Sequence, residues 1–383
     1  MEGSVFTGNS GHIGSDYSDR GPSSGSIGVA NVTGYWGAAQ QFNIGGIGTG
    51  TLNIKDYGLV ESNYGVNVGR NGVVNVNGGL ITRKVDLSDG GELTVSNGGA
   101  VGRKASVDAN YVDLSINNDP YNSASALATA VIKGEGSSWT GFDINIGSGN
   151  TGDGTESKNA VLIVKDGGTM SASQMTIGNS GILSMDGSQL TSSDAVTNHG
   201  VISLNDSLIK GNVANHGVLF GDQGTIEGNV TNYDLISPGN SPGVLTITGD
   251  LTLASDSTLL MEIFGPTAYD QLIIGGNFVV GGILELDFGG YMPEFDVPYD
   301  LFQVAGGMSG NFSEIKFLNP AASFDAGLLS LSFAGGENGG MFQLIMANNG
   351  DPGSNTVPEP ASILLIGLGG MVLLFFRRRR SQA

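Results

Sequence analysis

Apolar and polar positions alternate in short runs along most of the chain, and glycine-rich turns separate the runs. Leu52-Asn53-Ile54, Val74-Asn75-Val76 and Leu93-Thr94-Val95 form one series. Leu162-Ile163-Val164, Leu183-Ser184-Met185 and Ile202-Ser203-Leu204 form a second. Alternation with period 2 predicts strands that bury one face. The starts fall 22 and 19 residues apart in the first series, and 21 and 19 in the second. Recurrence near 20 residues predicts a repeat architecture, because a single strand–turn unit cannot bury its apolar face alone.

A stricter period of 17 follows. Gly211-Asn212-Val213 returns as Gly228-Asn229-Val230. Asn198-His199-Gly200-Val201 returns as Asn215-His216-Gly217-Val218, then as Asn232-Tyr233-Asp234-Leu235. One solenoid coil per repeat explains both patterns. Equivalent residues then stack about 4.8 Å apart, and Asn198, Asn215 and Asn232 are expected to form an amide ladder. Regular stacking of about 15 such coils would give a rod of about 70 Å.

A longer duplication overlies the coils. Val32 to Gly50 is similar to Ile132 to Gly152. Trp36 and Trp139, the two tryptophans of the chain, stand 103 residues apart in it, each followed by an Ile-Gly pair at Ile44 and Ile146. The stretch between, near 105–130, loses the alternation and reads as an inserted loop. The text changes again from Ile236, with SPGNSPGVLTITGDLTL and YDQLIIGGNFVVGGILELDF. Leu301 to Met346 stays strand-like and reads as a cap on the open end.

Composition narrows the function classes. Of 383 residues 65 are glycine, without the every-third spacing of collagen. Cysteine is absent, which removes disulfides, thiolate metal sites and cysteine nucleophiles. Asp and Glu number 36 against 16 Lys and Arg, a net charge of −20. Such a surface repels phosphate backbones, so nucleic acid is not an expected partner.

Candidate chemistry in the body is sparse. Asp56, Asn77, Asn97, Asp166 and Asp186 stand where strands end, and four of them precede glycine, as tight turns require. Asp166 and Asp186, 20 residues apart, are the candidate carboxylates for calcium or for acid–base chemistry, should one coil bring them together. The turn reading is preferred, because Asn and Asp are both used at these places, so the backbone conformation and not the charge is what they share. His199 and His216 would stack on successive coils, but Tyr233 takes the third place and leaves a metal ligand set incomplete. Trp36 and Trp139 are the candidates for stacking on sugar rings, against the plainer reading of core packing. Gly147-Ser148-Gly149 and Gly152 to Gly154 lack the Lys and following helix of a phosphate loop. No GxSxG elbow occurs. No catalytic residue, metal ligand set or cofactor is therefore expected.

The C-terminal end carries the most specific pattern. Ala361 to Phe376 reads ASILLIGLGGMVLLFF, 16 residues without a charge. As a helix it would be roughly 24 Å long, near the thickness of a hydrocarbon core once arginine stems reach outward. Arg377, Arg378, Arg379 and Arg380 follow directly and should stay cytoplasmic, placing the rest of the chain outside. Val357-Pro358-Glu359-Pro360 precedes the apolar stretch, after the polar linker NNGDPGSNT.

Motif, apolar helix, arginine cluster and chain end, in that order, resemble the PEP-CTERM sorting signal of Gram-negative bacteria. The resemblance implies recognition by an exosortase, a membrane-embedded cysteine-dependent transpeptidase, with cleavage near the motif. Val357, Pro358, Glu359 and Pro360 would then be substrate residues of a sorting enzyme. The coils and the segments after Ile236 resemble the β-solenoid stalks of autotransporter passengers and of PEP-CTERM surface proteins. That resemblance implies an all-β fold: a right-handed parallel β-helix with a C-terminal β cap region and a single C-terminal transmembrane helix.

Four regions are expected. Residues 1–40 form an N-terminal cap or leader whose start is incomplete, since MEGSVFTGNSGHIGSDYSDR has no basic start and no apolar stretch. Residues 41–235 hold the solenoid repeats, 236–350 a C-terminal solenoid and cap region, and 351–383 the linker and sorting signal. The functional expectation is an exported structural or adhesive protein, not an enzyme. It would begin as an inner-membrane-anchored precursor and reach the cell surface or extracellular matrix, where the resemblance adds exopolysaccharide and biofilm as partners. The alternatives are a β-helix polysaccharide lyase or hydrolase and a surface glycan-binding module. Against the lyase, the basic residues of the coils are few and none pairs with a carboxylate column.

Overall fold

The computed structural model describes residues 6–8, 11–13, 27–38, 41–45, 48–82, 84–87, 90–102, 113–116, 127–147, 160–239, 242–336 and 339–348. Across them the chain winds through three long sheets. In each turn it lays one strand in sheet I, one in sheet II and one in sheet III, then returns to sheet I one level on. Sheets II and III hold 13 strands each, so thirteen coils stack where the sequence suggests about 15. At about 4.8 Å per coil the stack is about 60 Å long. All pairs between coils are parallel until the cap.

The alternation dictates this arrangement. Val201–Asn205 and Val218–Asp222 in sheet III both bury their second and fourth residues and turn the others outward. Inward side chains from all three sheets meet in one continuous apolar core that runs from Ile13 to Leu344. The register places Leu52 beside Val74 and Val74 beside Leu93, and likewise Leu162, Leu183 and Ile202. These are the pairs the spacing predicts. Ile202, Leu219 and Ile236 are neighbours at the 17-residue period.

A 17-residue coil leaves little chain for its three corners. At the corner from sheet II to sheet III, Gly181, Gly200 and Gly217 stack backbone against backbone. A Cβ on Gly217 would run into the carbonyl of Gly200, and one on Gly200 into that of Gly181.

Trp36 and Trp139 occupy equivalent places in sheet I, in Tyr35–Ala38 and Ser138–Thr140. Ile44 and Ile146 do so in sheet II. The duplication is thus an equivalence of coils. The loop expected near 105–130 is interrupted by a strand, Asp113–Ile116, which pairs with Lys84–Leu87 and Asp143–Ile146 in sheet II. One coil therefore passes through the region. The three sheets also continue across Ile236 without a break. The coils lengthen there, so that Leu284 takes Ile315 as its neighbour on the next level.

The C-terminal end closes with a hairpin, Leu329–Gly336 and Gly339–Met346. It joins sheet I antiparallel to Pro298–Val304. Phe342 stacks on Phe302 with ring centroids 4.9 Å apart, and Phe324 covers Phe288 at 5.0 Å.

Candidate functional site

A shallow groove of about 600 Å³ crosses four coils where sheet III turns into sheet I. Its floor is a column of outward side chains in register, Thr169, Gln189, Leu208 and Thr225. Its rim is built from left-handed turn residues: Gly167 at φ 83°, Gly187 at 56°, Asp206 at 43° and Gln223 at 54°. Asp206 and Glu227 bring carboxylates to the lining, which holds no cation. Lys210 lies just outside, 4.0 Å from Glu227. A surface of hydroxyls, amides and two carboxylates suits an uncharged polar ligand and disfavours an anionic one. Asp206 and Gln223 were not legible as turn residues, because serine follows one and glutamine is unusual in this conformation.

Asp166 and Asp186 do not form a carboxylate column. The coil between them is slightly longer than their spacing, so Lys165 is the register partner of Asp186. Asp166 comes next in the chain, in the left-handed conformation at φ 55°, with its carboxylate 3.8 Å from Lys165. Asp186 instead begins an outward ladder with Asn205 and Asp222. Asn205 Nδ2 donates to Asp186 Oδ1 at 2.7 Å. No group of three or more His, Asp or Glu that could hold a metal ion exists among the described residues.

The two tryptophans part company. Trp139 is wholly buried between Val101 and Met170, so neither ring face is open to a sugar. Its candidacy for stacking on sugar therefore falls, and the side chain packs in the core, the plainer of the two readings. Trp36 is half-buried and meets Phe42 edge-on, with centroids 4.8 Å apart.

His199, His216 and Tyr233 form an exposed stack at 4.9 and 4.2 Å. The rings are nearly parallel, at 18° and 2°, and the third is a phenol, so the stack offers only two imidazoles toward a metal. Burial, with a smaller contribution from His199, lowers the pKa of His216.

Asp270, which sequence reading missed, is fully buried. Oδ1 accepts from the Gly243 amide at 2.8 Å and Oδ2 from the Glu262 amide at 2.9 Å. Burial pushes its carboxyl up to about 6, against the lowering effect of those two bonds. A Cβ on Gly239 would strike this carboxylate, so Asp270 lies against one glycine of the SPGNSPG segment and bonds the amide of another, Gly243. The motif gives a reason for its glycines but none for a carboxylate so far beyond Gly243 in the chain.

Val357, Pro358, Glu359 and Pro360, the apolar stretch 361–376 and Arg377, Arg378, Arg379 and Arg380 lie outside the described residues. Among the described residues no helix is long and apolar enough to cross a membrane. No curated protein matches this chain. Residues 356–380, however, match the family model of the PEP-CTERM protein-sorting motif, which marks the chain for an exosortase-type sorting enzyme and export.

Proposed function

We propose that this protein is a structural or adhesive stalk of the cell surface or extracellular matrix, delivered by exosortase-type processing of its tail. The observation that carries the reading is the sorting motif at 356–380, set beyond a capped stack of parallel coils. In this reading Arg377 to Arg380 hold an inner-membrane precursor of a Gram-negative cell through helix 361–376, until cleavage near Pro358-Glu359-Pro360. The coils wind right-handed, as crossovers between parallel strands of one sheet overwhelmingly do. The stalk acts without catalysis, and its setting is exopolysaccharide and biofilm. Calcium-dependent release of sugar from an anionic polysaccharide would replace this reading with a lyase or hydrolase.

The groove over Thr169, Gln189 and Thr225 favours one second reading, a glycan-binding surface for uncharged polysaccharide. The test of the main reading is replacement of Pro358, Glu359 and Pro360 by alanine in the native host. Loss of the protein from the surface, with unprocessed precursor kept in the membrane, is expected. Unchanged surface display would contradict it.

A further inference from the structure

Sheet I ends in Leu329–Gly336. These eight residues pair on one side with Gly339–Met346 and, among the described residues, with no strand on the other. Such an edge presents unpaired N–H and C=O groups, and soluble proteins ordinarily guard it with lysine, proline, a bulge or a covering element. The sequence LSLSFAGG contains no charge and no proline. Its eight pairs to the neighbouring strand run without a register shift, so no bulge twists it away. Leu329 and Leu331 pack against the core, Ser330 is exposed and Ser332 half-exposed. The result is an uncharged, unbroken edge on a chain of net charge −20.

The geometry points to a second copy of this chain as the occupant. Leu329–Gly336 of two molecules pair antiparallel about a two-fold axis at Ser332 and join their sheets I tail to tail. Two copies of one edge match in length, and an isologous contact closes and stops. Along this strand two strongly acidic molecules meet without carboxylate facing carboxylate. A single strand pair is a small contact at the weak end of interface sizes, so the dimer depends on concentration. Tethering many copies to one surface would strengthen it by raising their effective concentration.

The absence of cysteine gives a direct test. Ser330→Cys and Ser332→Cys each place a single thiol on the edge. With the two-fold axis at Ser332, Ser332 opposes its own copy at a Cα separation of about 4.5–5.5 Å, within disulfide reach, whereas Ser330 opposes Ala334 and lies roughly 14 Å from its own copy. The full chain in mild detergent is oxidised over a concentration series and run on non-reducing gels, beside Ser255→Cys in an exposed turn of the body. The expected result is a species of twice 39.1 kDa from Ser332→Cys, growing with concentration and scarce for Ser330→Cys and Ser255→Cys. Adding Ser330→Lys to Ser332→Cys should abolish the cross-link while the melting temperature stays unchanged. Equal cross-linking at all three sites, or none at Ser332, would overturn the proposal. The cysteine variants decide the matter even if the lysine variant fails to fold.

Discussion

Asn198 donates its side-chain amide to Asn215 Oδ1 at 2.6 Å across one coil, and Asn215 donates in turn to Asn232 at 2.6 Å. All three side chains are fully buried. Each amide also satisfies backbone carbonyls at the corner where the chain turns from sheet II to sheet III, as Asn215 does for Gly217 and Leu235. The ladder therefore closes the tightest coils of the stack. Asn215→Ala would strand polar groups above and below it. A loss of about 2–4 kcal/mol is expected, read as a shifted urea midpoint with unchanged slope.

Asp270 gives the stack a pH dependence of definite sign. Its folded pKa, about 6, lies above its ordinary 3.8. Its contribution is therefore fully present below the unfolded value and is lost as pH rises through 6. The gap corresponds to about 3 kcal/mol and comes chiefly from burial of the carboxylate, with smaller contributions from the charges of Glu262 and Asp222. Unfolding free energy measured between pH 4 and pH 7, roughly the window set by the two values, should rise on acidification more for the native protein than for Asp270→Asn. Equal slopes would remove Asp270 as the source.

His216 acts in the opposite sense. Its pKa is lowered on folding, so its contribution is present above the ordinary histidine value and is lost as pH falls through the folded one. His216→Tyr repeats the Tyr233 rung and removes the charge. Thermal melting curves of the variant should lose part of the acid sensitivity of the native protein below the ordinary histidine range. A variant as acid-sensitive as the native protein would contradict this.

Trp139 tests core against ligand. Its indole nitrogen is buried without a hydrogen-bond partner. Trp139→Phe should therefore cost little, whereas Trp139→Ala should cost about 3–5 kcal/mol through the cavity it leaves. Neither should change retention on immobilised glycans per folded molecule. Selective loss of retention with Trp139→Phe would restore the sugar-stacking role.

The coil repeat was legible because stacking forces equivalent residues into register. Where the period is strict, as from Asn198 to Asn232, the sequence spacing and the observed pairing coincide. Where coil length drifts, spacing misleads by single positions. Asp166 and Asp186 look like partners by their spacing, but the coil runs slightly longer and Lys165 takes the place. Trp139 was ambiguous because alternation predicts an inward position only when its phase is known, and that phase comes from Val101 and Met170 on either side. Asp270 was invisible for a different reason. Its partners are backbone amides, one of them on a distant stretch of chain at Gly243, and backbone groups leave no mark in a sequence.

Delivery to the surface rests on the tail of this protein being a sorting signal that is removed. Intact mass and the C-terminal peptide of the native protein, taken from membrane and secreted fractions, test it most directly. A chain ending near Pro360 and lacking residues 361–383 is the predicted result. A full-length tail ending in Ala383, found only in the cytoplasmic membrane, would contradict the sorting account and leave the stack of coils without its route to the surface.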